Sequence, residues 1–118
     1  MDSPVCSKSF AFAVRIVKLA RHLVGQHREY VLSRQLMRAG TSIGANVNEA
    51  QAAQSRADFV SKMAIASKEA RETRYWLDLL VATDYLDEND EHTRSLMDQS
   101  SELIRLLTAI VKTTQSKK

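Results

Sequence analysis

Arg38-Ala39-Gly40-Thr41-Ser42-Ile43-Gly44-Ala45-Asn46-Val47-Asn48-Glu49-Ala50 is the stretch whose reading decides the fold. Leu36, Ile43, Val47 and Ala50, continuing Leu32 upstream, keep the three-or-four spacing of one buried helical face. The composition pulls the other way. Two glycines in an exposed helix interior would each cost about 1 kcal/mol relative to alanine, and Thr41, Ser42, Asn46 and Asn48 add smaller penalties. Close packing resolves the conflict, because Gly40 and Gly44 lie one turn apart and let another helix backbone approach. Beside them Arg38, Ser42, Asn46 and Glu49, spaced four, four and three apart, form a polar stripe. The stripe reads as a hydrogen-bonded network holding helices in register, with a binding or catalytic site as the alternative. If it is such a network, Asn46→Leu orphans its partners and costs about 1 to 3 kcal/mol.

Outward from this stretch the chain resolves into four helices, expected at about 7–26, 31–53, 56–83 and 88–113. In helix 1, Phe10, Ala13, Val17, Ala20 and Val24 make an apolar line flanked by Phe12, Ile16, Leu19 and Leu23, a width that suits burial on more than one side. Arg15, Lys18 and His22 share the remaining face. Residues 25–30 connect to helix 2. Ser55 and Asp58 then make a capping-box pattern that opens helix 3. There Phe59, Met63, Ala66, Ala70, Thr73, Leu77 and Leu80 alternate steps of four and three, which implies shallow left-handed bundle packing. On the same helix Glu69 and Glu72 belong either to an exposed salt-bridged face or to ion pairs with Arg38 or Arg34 across the helix 2–helix 3 contact. Tyr75 and Trp76 read as packing or interface anchors rather than base-stacking platforms.

Asp87, Asp90 and Glu91 put negative charge at the start of helix 4, where the helix dipole favours it. Leu96, Ser100, Leu103, Leu107 and Ile110 form its apolar line, and Met97, Ile104 and Val111 a second. The polar tail 114–118 is expected to be disordered. Four helices with short connections give an all-α, up-down-up-down antiparallel four-helix bundle, one domain over residues 1–118. The excess apolar width of helices 1 and 4, with Tyr75 and Trp76, predicts a homo-oligomer.

Composition narrows the function. With 44% hydrophobic and 26% charged residues the chain is an ordinary folded protein, and three glycines and one proline leave little for the turns of an all-β fold. The single cysteine, Cys6, forms no intrachain disulfide and holds no zinc alone, which suits a reducing cytoplasm. No run of about 18 apolar residues predicts a membrane span, and Lys8, Arg15, Lys18 and Arg21 break the N-terminal region against a secretory signal. Residues 1–56 carry eight Lys or Arg against three Asp or Glu (+5), whereas residues 57–118 carry nine against eleven (−2). The basic first half nominates Lys8, Arg15, Lys18, Arg21, Arg28 and Arg34 as phosphate contacts with little base selectivity.

Chemistry is expected to be absent. There is no Glu-x-x-His pair for a di-iron site: His92 follows Glu88 by four and Glu91 by one. Nor is there a phosphate loop, a nucleophile elbow or a Cys/His pairing. No metal, cofactor or enzymatic activity is therefore expected. Two functions lead, an oligomeric bundle that binds RNA or DNA, and a scaffold that recruits a protein partner through Trp76, Tyr75 or the acidic start of helix 4; an enzyme is a distant third, kept for the Ser42, Asn46 and Glu49 stripe.

At these residues the chain resembles the bacterial four-helix-bundle proteins, or 23S rRNA intervening-sequence proteins. That family's mark is Arg-Ala-x-x-Ser-Ile-x-x-Asn-Ile-x-Glu-Gly on helix 2, here Arg38-Ala39, Ser42-Ile43, Asn46-Val47 and Glu49, preceded by Leu32 and Gln35-Leu36. Ala64-Ile65-Ala66-Ser67-Lys68-Glu69-Ala70 with Glu72-Thr73, Tyr75-Trp76-Leu77 and Leu80 is a second match. Ala50 stands where the family usually has glycine, and Val47 replaces isoleucine. The resemblance implies a four-helix protomer in a ring-shaped pentamer. Some members are encoded within large-subunit ribosomal RNA genes, and the family is similar to the basic accessory protein of diversity-generating retroelements, which binds a reverse transcriptase and nucleic acid.

Overall fold

Ser3 opens the first helix, in a computed structural model that describes residues 3–117; Met1, Asp2 and Lys118 lie outside the described residues. Helix α1 (Pro4–His27) begins earlier than its apolar pattern suggests, because the Ser3 hydroxyl accepts from the Cys6 N–H and Pro4 occupies a first-turn position where no N–H is needed. It ends at Arg28, whose backbone is left-handed (φ 53, ψ 34).

Helix α2 (Val31–Ala50) is capped by Glu29, whose carboxylate accepts from the N–H groups of Val31 (3.2 Å), Leu32 (3.0 Å) and Ser33 (2.7 Å). It stops short of the expected end at residue 53. Gln51, Ala52 and Ala53 instead donate to the carbonyls three residues back, closing the helix in a tight last turn. Helix α3 (Arg56–Ala82) starts as the cap predicts, with Ser55 Oγ accepting from Asp58 N (3.0 Å). The Asp58 carboxylate reaches back one residue further than in a capping box, to Gln54 N at 3.3 Å.

Helix α4 (Glu91–Ser116) starts later than residue 88, because Asp90 is the residue whose side chain accepts from Thr93 N. It also runs further than expected. Residues 114–116 of the polar tail are helical rather than disordered: Thr114 Oγ1 donates to Ile110 O (2.8 Å), and Arg56 donates to the Lys117 carbonyl. The last expected tail residue, Lys118, lies outside the described residues.

The elements are all helical, and each packs on its neighbours in sequence, with α4 closing back on α1 in an elongated body of 49 × 23 × 22 Å. Backbones of diagonal pairs stand further apart than those of neighbours, the order of an up-down-up-down bundle. Packing is richest between α2 and α3 and sparsest between α1 and α4. The predicted line of α3 is buried from Met63 to Leu80, with Phe59 partly covered. That of α4 is buried from Leu96 to Leu107, and its second line, Met97, Ile104 and Val111, is half-buried against the core.

Helix α1 departs from its reading. The line that enters the core is Val5, Ser9, Phe12, Ile16, Ala20 and Leu23, whereas Phe10 is 71% exposed and Val24 lies at the surface. The reason lies on α2. A Cβ built on Gly40 would stand 2.6 Å from Ile16 Cγ2, and one on Gly44 3.3 Å from the Ser9 carbonyl oxygen. The glycine strip therefore takes the Ser9–Ile16 face of α1, which leaves Phe10 and Val24 at the surface. Buried Ser9, Ser33, Thr73 and Ser100 each donate to a carbonyl one turn back, so these small polar residues sit in the core with their hydroxyls satisfied.

Candidate nucleic-acid interface

The six cations nominated by the sequence divide into two groups. Lys8 pairs with Glu102 across the α1–α4 seam (3.1 Å). Half-buried Arg15 is committed to α4, donating to Ser95 Oγ (2.9 Å), Gln99 Oε1 (2.7 Å) and the His92 carbonyl (3.3 Å). Its guanidinium is thus a clamp between helices, a correction to its reading as an open phosphate contact. Lys18, Arg21, Arg28 and Arg34 are exposed and make no side-chain hydrogen bond or ion pair among the described residues. Arg28 stands in the connection between α1 and α2, Arg34 lines a groove with Val24 of α1, and Lys18 and Arg21 lie along the exposed side of α1, Lys18 one turn from Arg15.

The α1–α2 edge is electrostatically one-sided. Between residues 3 and 48 Glu29 is the sole acid, against seven Lys or Arg. Both its oxygens are turned into the start of α2, where the N–H groups and the helix dipole compensate the carboxylate. The acids of the α3–α4 connection, Asp84, Asp87, Glu88 and Asp90, share this end of the bundle but belong to the opposite edge. The two connections touch where His27 meets Tyr85 edge-on, ring centroids 5.7 Å apart, with His22 packed on His27 at the same spacing.

The polar stripe of α2 is not one network. At one end Arg38 binds Glu69 (3.4 Å) and Glu72 of α3, and Glu72 also accepts from Trp76 Nε1 (3.0 Å). At the other end Glu49 pairs with Lys62 of α3 (2.9 Å), whose ammonium pKa is raised by that hydrogen bond and by the charge of Glu49. The middle does not cross between helices. Asn46 Nδ2 donates to Ser42 O (2.9 Å) and Ser42 Oγ (3.1 Å), one turn back on its own helix. Trp76 is half-buried against the core, and Tyr75, edge-on to it at 5.1 Å, is 58% exposed.

Sequence reasoning missed the clamp role of Arg15 and the Glu49–Lys62 pair, since both depend on partners far along the chain. The neutralised Glu29 left a signal: a lone acid two residues before a helix start, inside a long basic run. Among the described residues no three His, Cys, Asp or Glu side chains gather as a metal ion would require, and no helix is long and apolar enough to cross a membrane.

A small all-α bundle with a basic edge and polar ties between its second and third helices is the class these features define. The chain belongs to the 23S rRNA-intervening sequence protein family, whose model matches residues 1–109. Among solved structures it is similar to a protein of unknown function from the S23 ribosomal protein family of Bacteroides thetaiotaomicron VPI-5482. The two are 52% identical, the match covers 92% of this chain and 98% of that one, and the TM-score is 0.87. A comparison with curated proteins finds no match.

Proposed function

We propose that the protein is a non-enzymatic, self-associating helical bundle that binds the backbone of RNA or DNA along its α1–α2 edge. The observation that carries this reading is the open charge of the first two helices and their connection: Lys18, Arg21, Arg28 and Arg34 are unpaired among the described residues, and the one acid in the run, Glu29, is spent on capping α2. Four such cations neutralise phosphates without reading bases. Binding of a labelled RNA, titrated between about 50 and 200 mM salt, is then expected to weaken with a log–log slope of about −2.8 to −3.6. Arg21→Gln, Arg28→Gln and Arg34→Gln together should reduce that slope to about −1. Affinity indifferent to salt, or no binding at low salt, removes the reading.

Self-association is supported by Phe10, Val14 and Val24, exposed apolar residues on the outer side of α1. The family resemblance supports five copies in a ring.

A second reading is favoured by Tyr75, exposed on α3: a scaffold that recruits a protein partner. Retention of a purified partner that is lost on Tyr75→Ala, with no RNA bound at low salt, would support it instead.

A further inference from the structure

Resting on that nucleic-acid reading, we propose that the groove at the α1–α2 end accepts an unpaired nucleotide. Its base stacks on Tyr30 and its phosphates meet Arg28 and Arg34, so that single strands are preferred to duplexes. The groove is lined by Val24, Tyr30 and Met37 together with unpaired Arg34 and with Arg38, which is held by Glu69 and Glu72. Apolar and aromatic lining beside an open cation matches a flat base carried on an anionic backbone.

Tyr30 occupies the residue before α2 where serine, threonine or aspartate would ordinarily cap the helix, yet it makes no capping bond, and Glu29 does that work from one residue further back. The Tyr30 ring is 54% exposed, and its hydroxyl makes no hydrogen bond among the described residues. The ring is therefore held at the surface without a structural task of its own.

Charge decides the occupant. Arg28 precedes Tyr30 by two residues and Arg34 follows it by four, both unpaired, while Glu29 is neutralised by the N–H groups it accepts. A base inside a duplex is already stacked on both faces, so only an unpaired one can reach the ring; phosphate contacts alone do not make that distinction.

The test compares a 5′-labelled twelve-nucleotide oligo(U) with a blunt RNA duplex of the same length, at low salt. Wild type, Tyr30→Ala, Tyr30→Phe and the Arg28→Gln/Arg34→Gln double variant are measured, each with its solution mass. We expect Tyr30→Ala to lose about 10-fold for oligo(U) and nothing for the duplex, with Tyr30→Phe retaining both. The double arginine variant should weaken both probes. Tyr30→Ala affecting both probes alike, or neither, overturns the stacking role while leaving phosphate binding in place. A changed solution mass for Tyr30→Ala would assign the ring to contact with a second copy and also overturns it. Failure of wild type to bind either probe defeats the parent reading itself.

Discussion

The three glycines of this chain stand in different surroundings, and substitution separates Gly40 from Gly25. Gly40→Ala drives a methyl against buried, β-branched Ile16, and overpacking of this kind costs about 1 to 3 kcal/mol, only partly offset by about 1 kcal/mol of helix propensity. Gly25 faces open space, so Gly25→Ala should gain up to about 1 kcal/mol; urea unfolding of the two variants checks both signs. The demand for a close approach at Gly40 and Gly44 was legible from spacing alone. Its partner was not, since nothing in residues 38–50 says that Ile16 and the Ser9 carbonyl fill the gap. Asn46 revises an expectation drawn from the sequence. Its amide bonds only its own helix, so Asn46→Leu leaves no atom of α3 without a partner. The melting point should move by no more than about 1 kcal/mol equivalent; a loss of several would restore the network.

At the scale of elements, α3 read cleanly because it carries one apolar line, and in α4 the leading of two lines is the one the core buries. α3 and α4 bury theirs nearly residue for residue. α1 also carries two adjacent lines, and periodicity cannot rank them; the choice was made by the side-chain-free strip on α2, which takes the face bearing Ser9 and Ile16. Helix ends shifted for local reasons, such as Asp90 rather than Asp87 supplying the N-terminal bond of α4. The α1–α4 seam, the sparsest helix contact of the bundle, is tied by the three hydrogen bonds of Arg15 and by the Lys8–Glu102 pair. Arg15→Ala should destabilise the bundle by about 1 to 2 kcal/mol while leaving the salt slope of RNA binding unchanged. Arg15→Lys should rescue little, because a point ammonium cannot reproduce the forked contact with Ser95 and Gln99. A slope reduced by about 1 with no change in melting would return Arg15 to the phosphate-contacting set.

For the whole molecule, the basic bias of the first half was readable by counting, but which cations stay open was not: Lys8 and Arg15 are withdrawn by acceptors some 80 to 94 residues away. The exposed Phe10 side chain bears on assembly. If it meets a second copy, Phe10→Asp should lower the solution mass to that of one 13.3 kDa chain without unfolding it, since the side chain it replaces is exposed in the protomer; an unchanged mass would exclude that face.

The sparse α1–α4 seam also has a kinetic consequence. Contacts between successive helices close short loops, whereas this one joins the two ends of the chain, so the α2–α3 hairpin should form early and the terminal helices should lock together last. Amide hydrogens of α1 are then expected to exchange through partial opening well before those at the centres of α2 and α3, and uniform protection across all four helices would show instead that the bundle opens as one unit.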